Sequence, residues 1–163
     1  MSATVSVQRE AFDVGAEIAA LSAGDHSVGA VASFVGLVRD GDGGDGLSAM
    51  TLEHYPGMTE AALEDIVVQA QSRWQLQGVR VIHRHGRLLP GDAIVLVVVA
   101  AAHRGEAFSA CGFIMDYLKT RAPFWKKEET GQGGRWVEAK DAEAQPPARL
   151  RRLSRPASWA RER

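Results

Sequence analysis

Hydrophobic and polar positions alternate with two different periods along this chain, and the switches between them mark its elements. Thr4–Gln8 alternates weakly and predicts an edge strand. Asp13 is placed to cap a short helix through about Ala20, with Val14, Ile18 and Leu21 on one side. Gly29–Val38 is β-branched, aromatic and small, which predicts a strand buried on both faces. Leu47–Tyr55 alternates again, and its closeness to the preceding strand predicts an antiparallel hairpin. Pro56-Gly57 then breaks the pattern. Thr59 reads as the cap of an amphipathic helix to Trp74, in which Leu63, Ile66, Val67, Ala70 and Trp74 recur at helical spacing. Val79–His85 is a strand and Leu89-Pro90-Gly91-Asp92 a turn. Ala93–Ala102 carries no polar side chain and reads as a central strand. A second helix, about Glu106–Thr120, places Phe108, Cys111, Met115 and Leu118 on one stripe, and Pro123 prevents its continuation. Phe124–Glu129 and Arg135–Ala139 alternate around the Gly-rich turn Thr130–Gly134 and predict a final hairpin. Short links between neighbouring strands give an α+β class: helices packed on a mostly antiparallel or mixed sheet.

Composition narrows the class. With 163 residues, 45% hydrophobic and 24% charged, the chain suits one globular domain. The Ala93–Ala102 run is about half the roughly 20 residues that a membrane span needs. Charges interrupt the N-terminus where a secretory signal would be apolar, so a cytoplasmic location is expected. The lone Cys111 excludes an internal disulfide and any multi-cysteine metal site. Net charge is −1, yet residues 1–60 hold nine acids against two bases and residues 61–163 eleven acids against seventeen bases. That asymmetry fits either an anionic ligand for the second half or simple mixing of charges on the folded surface. From Ala144 the chain carries six arginines, three prolines and one acid. This stretch reads as a mobile tail, or as a docking arm for nucleic acid or an acidic protein.

Candidate chemistry concentrates late in the chain. His103-Arg104 stands where the apolar strand feeds a helix, and free N–H groups at a helix start favour oxyanions. Lys119 finishes that helix, where a cation also serves merely to complement the dipole. Lys126 shares a strand face with Phe124 and Glu128, whereas Lys127 points away with Trp125. Aromatic flanks can desolvate a lysine and fit it for acid–base or nucleophilic work. Arg39, before a glycine loop, would close the same site or cap an exposed strand end. The loop Asp40–Gly46 lacks the Glu that a calcium loop needs, since that position is Thr51. His83 and His85 flank Arg84 without nearby acids or thiols, a weak metal set.

Several uncommon strings in order make a family legible. LEHYPGMTEAAL (52–63), VIHRHGRLLPGD (81–92), AHRGEAF (102–108), FIMDYLKTRAPFWKKE (113–128) and RWVEA (135–139) resemble the molybdopterin synthase catalytic (large) subunit family, over about residues 5–140. The resemblance implies an α+β, hammerhead-type domain over residues 1–143, followed by the 144–163 tail. It implies transfer of sulfur, carried as a thiocarboxylate on the C-terminal Gly-Gly of a small ubiquitin-like subunit, to cyclic pyranopterin monophosphate. The product is molybdopterin with its dithiolene. It further implies a homodimer within a heterotetramer, and no metal or cofactor for this step. By position, Lys119 matches an essential catalytic lysine, and Lys126 a second functional lysine in a substrate-binding stretch with Lys127 and Glu128. His103-Arg104 and Leu37, Val38 and Arg39 match segments that hold the pterin phosphate. Lys140 replaces an arginine that relatives can carry, losing a bidentate fork. Two other readings compete: a Schiff-base enzyme using Lys126, and a non-catalytic adaptor for a ubiquitin-like tail.

Overall fold

The computed structural model describes residues 4–40, 46–131 and 133–137. They form two four-stranded sheets and three helices, the α+β class that the alternating periods predict. The first sheet runs in the order β1 (Val5–Gln8), β4 (Leu76–Arg84), β6 (Ala93–Ala101), β2 (Ala30–Leu37). β1 pairs parallel to β4, and β6 runs antiparallel to both β4 and β2. The second sheet runs β5 (Gly86–Leu88), β3 (Leu47–His54), β7 (Phe124–Thr130), β8 (Gly133–Val137), all antiparallel.

β6 is apolar throughout because both of its faces are covered. Val95, Val97 and Val99 pack with Leu63, Val67 and Ala70 of α2 (Met58–Arg73) and with Ala107, Ala110, Cys111, Ile114 and Met115 of α3 (Arg104–Thr120). Leu96 and Val98, on the opposite face, pack with Val14, Ile18 and Leu21 of α1 (Val14–Ser22). Asp13 caps α1 as expected, its Oδ1 accepting the Ala16 N–H at 2.9 Å. A third cluster, Val38, Met50, Leu52 and Leu88 with Ile94, joins the second sheet to one end of the first.

Four expectations change. β2 and β3 do not form a hairpin: they belong to different sheets, because β2 finds its partner in β6 and β3 in β5 and β7. Nor is β2 buried on both faces. It is an edge strand in which only Ala32 is buried, while Val31, Phe34 and Leu37 stay exposed. Its apolar composition suggested a second covering layer that the described residues do not supply. Thr59 is not the cap of α2. It is buried and its Oγ1 accepts the Tyr55 N–H at 3.2 Å, while Gly57, at φ 84°, takes the cap position and donates its N–H to Glu60 Oε2 at 2.6 Å. Phe108 leaves the α3 stripe and is 68% exposed, its place in the core taken by Ala107 and Ala110. Among the described residues no helix is long and apolar enough to cross a membrane.

Candidate active site at the junction of α3 and β7

α3 starts at the far end of β6 and packs back along it, burying Ala107, Ala110, Cys111, Ile114, Met115 and Leu118 on the first sheet. Its last turn therefore returns to the end of the sheet where β6 begins and β2 ends. Lys119 stands there, exposed. Three residues, Arg121-Ala122-Pro123, link the helix to β7, and the Phe124 N–H bonds the Ala122 carbonyl at 2.8 Å.

The register of β7 on β3 pairs Phe124 with His54, Lys126 with Leu52 and Glu128 with Met50. Directly paired residues share a face, so Lys126 and Glu128 stand on the side of the buried Leu52 and Met50. Lys126 Nζ reaches Glu128 Oε1 at 2.9 Å, with the two side chains 43% and 18% exposed. Lys126 is thus a half-exposed, ion-paired ammonium, not the amine desolvated between aromatic flanks that the sequence suggests. Lys127 projects from the other face, its Nζ 5.8 Å from the Trp136 ring centroid. Its stem passes so near Gly134 that a Cβ there would lie 2.8 Å from Lys127 Cε.

Leu37, Val38 and Arg39 arrive at this same end. Leu37 pairs with Ala93 across a register shift after Gly36, a bulge of the kind that re-aims residues beside functional sites. Val38 is locked by two backbone bonds: its N–H to the Asp92 carbonyl at 2.8 Å and the Gly91 N–H to its own carbonyl at 2.7 Å. Its side chain packs with Leu52 and Met50, the register partners of Lys126 and Glu128. Arg39 follows directly and is exposed. Arg39, Lys119 and Lys126 therefore gather at one end of the fold.

His103 and Arg104 do not join them. Both are exposed at the start of α3, whose 17 residues rise about 24 Å to Lys119 at 1.5 Å each. His103 takes the N-cap position without using its side chain as a cap, so the helix start keeps its donors available to an anion. The expected anion-binding residues thus fall into two groups at opposite ends of α3.

A cluster that sequence reasoning passed over lies beneath β7. Phe124 stacks on His83, with centroids 3.7 Å apart and planes 17° apart. His54 stands 6.4 Å from Phe124 and 4.3 Å from His85. His83 is buried, and burial pushes its pKa down to about 4; the Arg84 carbonyl it bonds opposes this, and the His54 and His85 rings add to it. That carbonyl, 2.8 Å from His83 Nδ1, can only accept, so Nδ1 carries the proton. The pKa of His85 is lowered, first by burial and then by His54. Among the described residues no group of three or more His, Cys, Asp or Glu side chains is arranged to hold a metal ion. No sequence signal points to this cluster, since His83 and Phe124 meet only through the packing of two sheets. Residues 41–45, Lys140 and the 144–163 tail lie outside the described residues.

Comparison with known proteins gives this geometry a family. The family model described as "MoaE protein" matches residues 7–121. A molybdopterin synthase catalytic subunit from Ralstonia nicotianae is 62% identical over 146 residues, covering 90% of this chain and 83% of that protein. One from Mesorhizobium japonicum is 56% identical over 156 residues, covering 94% and 97%. Among solved structures, a molybdopterin biosynthesis MoaE protein from Burkholderia ambifaria superposes with a TM-score of 0.74 at 52% identity, covering 95% of this chain and 100% of that one. Molybdopterin synthase from Staphylococcus aureus superposes at 0.78 with 26% identity, covering 85% and 99%. With its core strands and all but the last hairpin inside the matched span, this chain belongs to the MoaE protein family.

Proposed function

We propose that this chain is the catalytic subunit of a molybdopterin synthase. It moves sulfur from the C-terminal thiocarboxylate of a small ubiquitin-like carrier to cyclic pyranopterin monophosphate, building the dithiolene of molybdopterin. The observation that carries this reading is the gathering of Arg39, Lys119 and Lys126 at one end of the fold in a chain whose relatives bear that name.

The chemistry suits these side chains. Both reactants are anions, so an uncompensated pocket would repel them. The thiocarboxylate sulfur bonds to a substrate carbon as the C–O bond there breaks, the oxygen departing on the phosphate where the cyclic ester opens or as water where a carbonyl oxygen is replaced, and the carrier is left joined to that carbon through a thioester. Water then adds to the thioester carbonyl. The resulting tetrahedral oxyanion collapses to the carrier carboxylate and a thiol on the product, and a second carrier repeats the sequence. Lys119 stabilises the oxyanion and Lys126, held by Glu128, binds substrate charge. Leu37 and Arg39 stand exposed at this end, held there by the buried Val38 between them, whereas Lys127 projects from the other face of β7.

His103 and Arg104 are about 24 Å away along α3, so they come to this site from a second copy. β2 offers the means: a free edge with Val31, Phe34 and Leu37 exposed. Ala30 at one end of β2 pairs with Ala101 beside His103, and Leu37 at the other end precedes Arg39. Two-fold antiparallel contact of these edges sets each copy's His103-Arg104 beside the other's Arg39. The domain covers residues 1–143 with the tail appended, and its lone cysteine suits the cytoplasm.

Reconstitution tests the reading. The purified chain, thiocarboxylated carrier and cyclic pyranopterin monophosphate should yield molybdopterin, and Lys119→Ala should abolish it while carrier binding persists. Tight carrier binding without product from the unaltered chain would identify an adaptor instead.

A further inference from the structure

β7 meets the first sheet at a ring contact two residues before Lys126. Phe124 lies nearly flat on His83, at 3.7 Å and 17°. His83 belongs to β4, where it pairs with Val7 of β1 and Val95 of β6, so the ring under Phe124 is fixed on both flanks. Its Nδ1–H is committed to the Arg84 carbonyl. Arg84 is anchored in turn, Nε donating to the Arg9 carbonyl at 2.9 Å and Nη1 to the Ala93 carbonyl at 3.1 Å. Across the strand pair His54 faces Phe124 and leans on His85. His54 Nδ1 is buried with no hydrogen-bond partner among the described residues, so this ring is retained at a polar cost.

Phe124 stands between the two lysines of the site. Lys119 closes α3 five residues earlier, and Lys126 projects from the same face of β7 as Phe124. Whatever seats the Phe124 ring therefore also seats the stretch of backbone that runs from Lys119 to Lys126. We propose that His83 is a positioning residue for sulfur transfer: by stacking on Phe124 it holds Lys126 at its working distance from Lys119. The proposal rests on the function assigned above. Reaction geometry is unforgiving, because a displacement of about 1 Å transmitted from outside the chemistry can cost about a hundredfold in rate.

The test compares His83→Phe, which keeps a flat ring, with His83→Leu, which fills similar space without one, in the reconstituted assay. His83→Phe should turn over within about threefold of the unaltered chain, and His83→Leu should lose about tenfold or more in kcat while KM for the pyranopterin stays within about twofold. Phe124→Leu should show the same loss, and the double variant no further loss. Normal kcat in folded His83→Leu, or losses that add in the double variant, would overturn the proposal. Lys119→Ala run alongside separates the two levels: full turnover there sinks the assigned function, whereas a dead Lys119→Ala beside a normal His83→Leu sinks only the positioning role.

Discussion

Acidification attacks this fold through His83. The ring is buried and neutral, its pKa pushed down to about 4 by burial, whereas in the unfolded chain it titrates near the ordinary value of 6.5. Between those values the unfolded state binds the proton and the folded state does not. Stability is therefore fully present above about pH 6.5 and is lost as pH falls toward about 4. A gap of about 2.5 units at 1.36 kcal/mol per unit amounts to about 3 kcal/mol, a large share of a typical total of 5–15 kcal/mol. The lowered pKa of His85 acts with the same sign. Urea unfolding followed from about pH 7.5 to about pH 4.5 measures the loss, and His83→Phe, which has no proton to gain, isolates it. The unaltered chain should lose about 1 kcal/mol per pH unit below 6.5 beyond what the variant loses. Parallel stability curves for the two proteins would mean that the His83 ring is solvated or pairs with an anion, and not that it is buried neutral.

Three further substitutions probe other joints. Gly29→Ala sets a Cβ against the Ala102 carbonyl oxygen, backbone that cannot step aside, and should lower stability by about 1–3 kcal/mol in thermal unfolding while disturbing the approach to His103. Leu88→Ala empties the cluster that joins the two sheets and should cost about 2–5 kcal/mol in denaturant titration. Glu128→Gln keeps shape but releases the Lys126 ammonium. Because the pair is partly exposed, stability should fall by less than about 1 kcal/mol, while turnover in the reconstituted assay should fall sharply.

Local pattern carried the elements but not their partners. The apolar run of β6, the cap at Asp13 and the face shared by Lys126 and Glu128 were all legible, because each depends on residues near in sequence. The pairing of β2 with β6 rather than with β3 was not, since it joins positions about 60 residues apart and leaves β2 an edge. The composition of β2 suggested burial on both faces that the described residues do not provide. The two ends of α3 were each legible as cation sites. Their separation by about 24 Å follows only from helix geometry, which turns one expected site into two halves. His83 and His85 read as a poor metal set, and their packing use appears only when Phe124 comes down on them.

On the proposed function, the sulfur-transfer site is shared between two copies of this chain. Lys119→Ala and Arg104→Ala chains, each inactive alone, are mixed in equal amounts, allowed to exchange subunits and assayed with thiocarboxylated carrier and cyclic pyranopterin monophosphate. Half of the dimers then contain both variants, and each of these has one site with both residues intact, so about a quarter of the unaltered activity should return. Mixtures that exchange subunits yet stay inactive would rule out a shared site, because Lys119 and Arg104 would then have to act from the same copy.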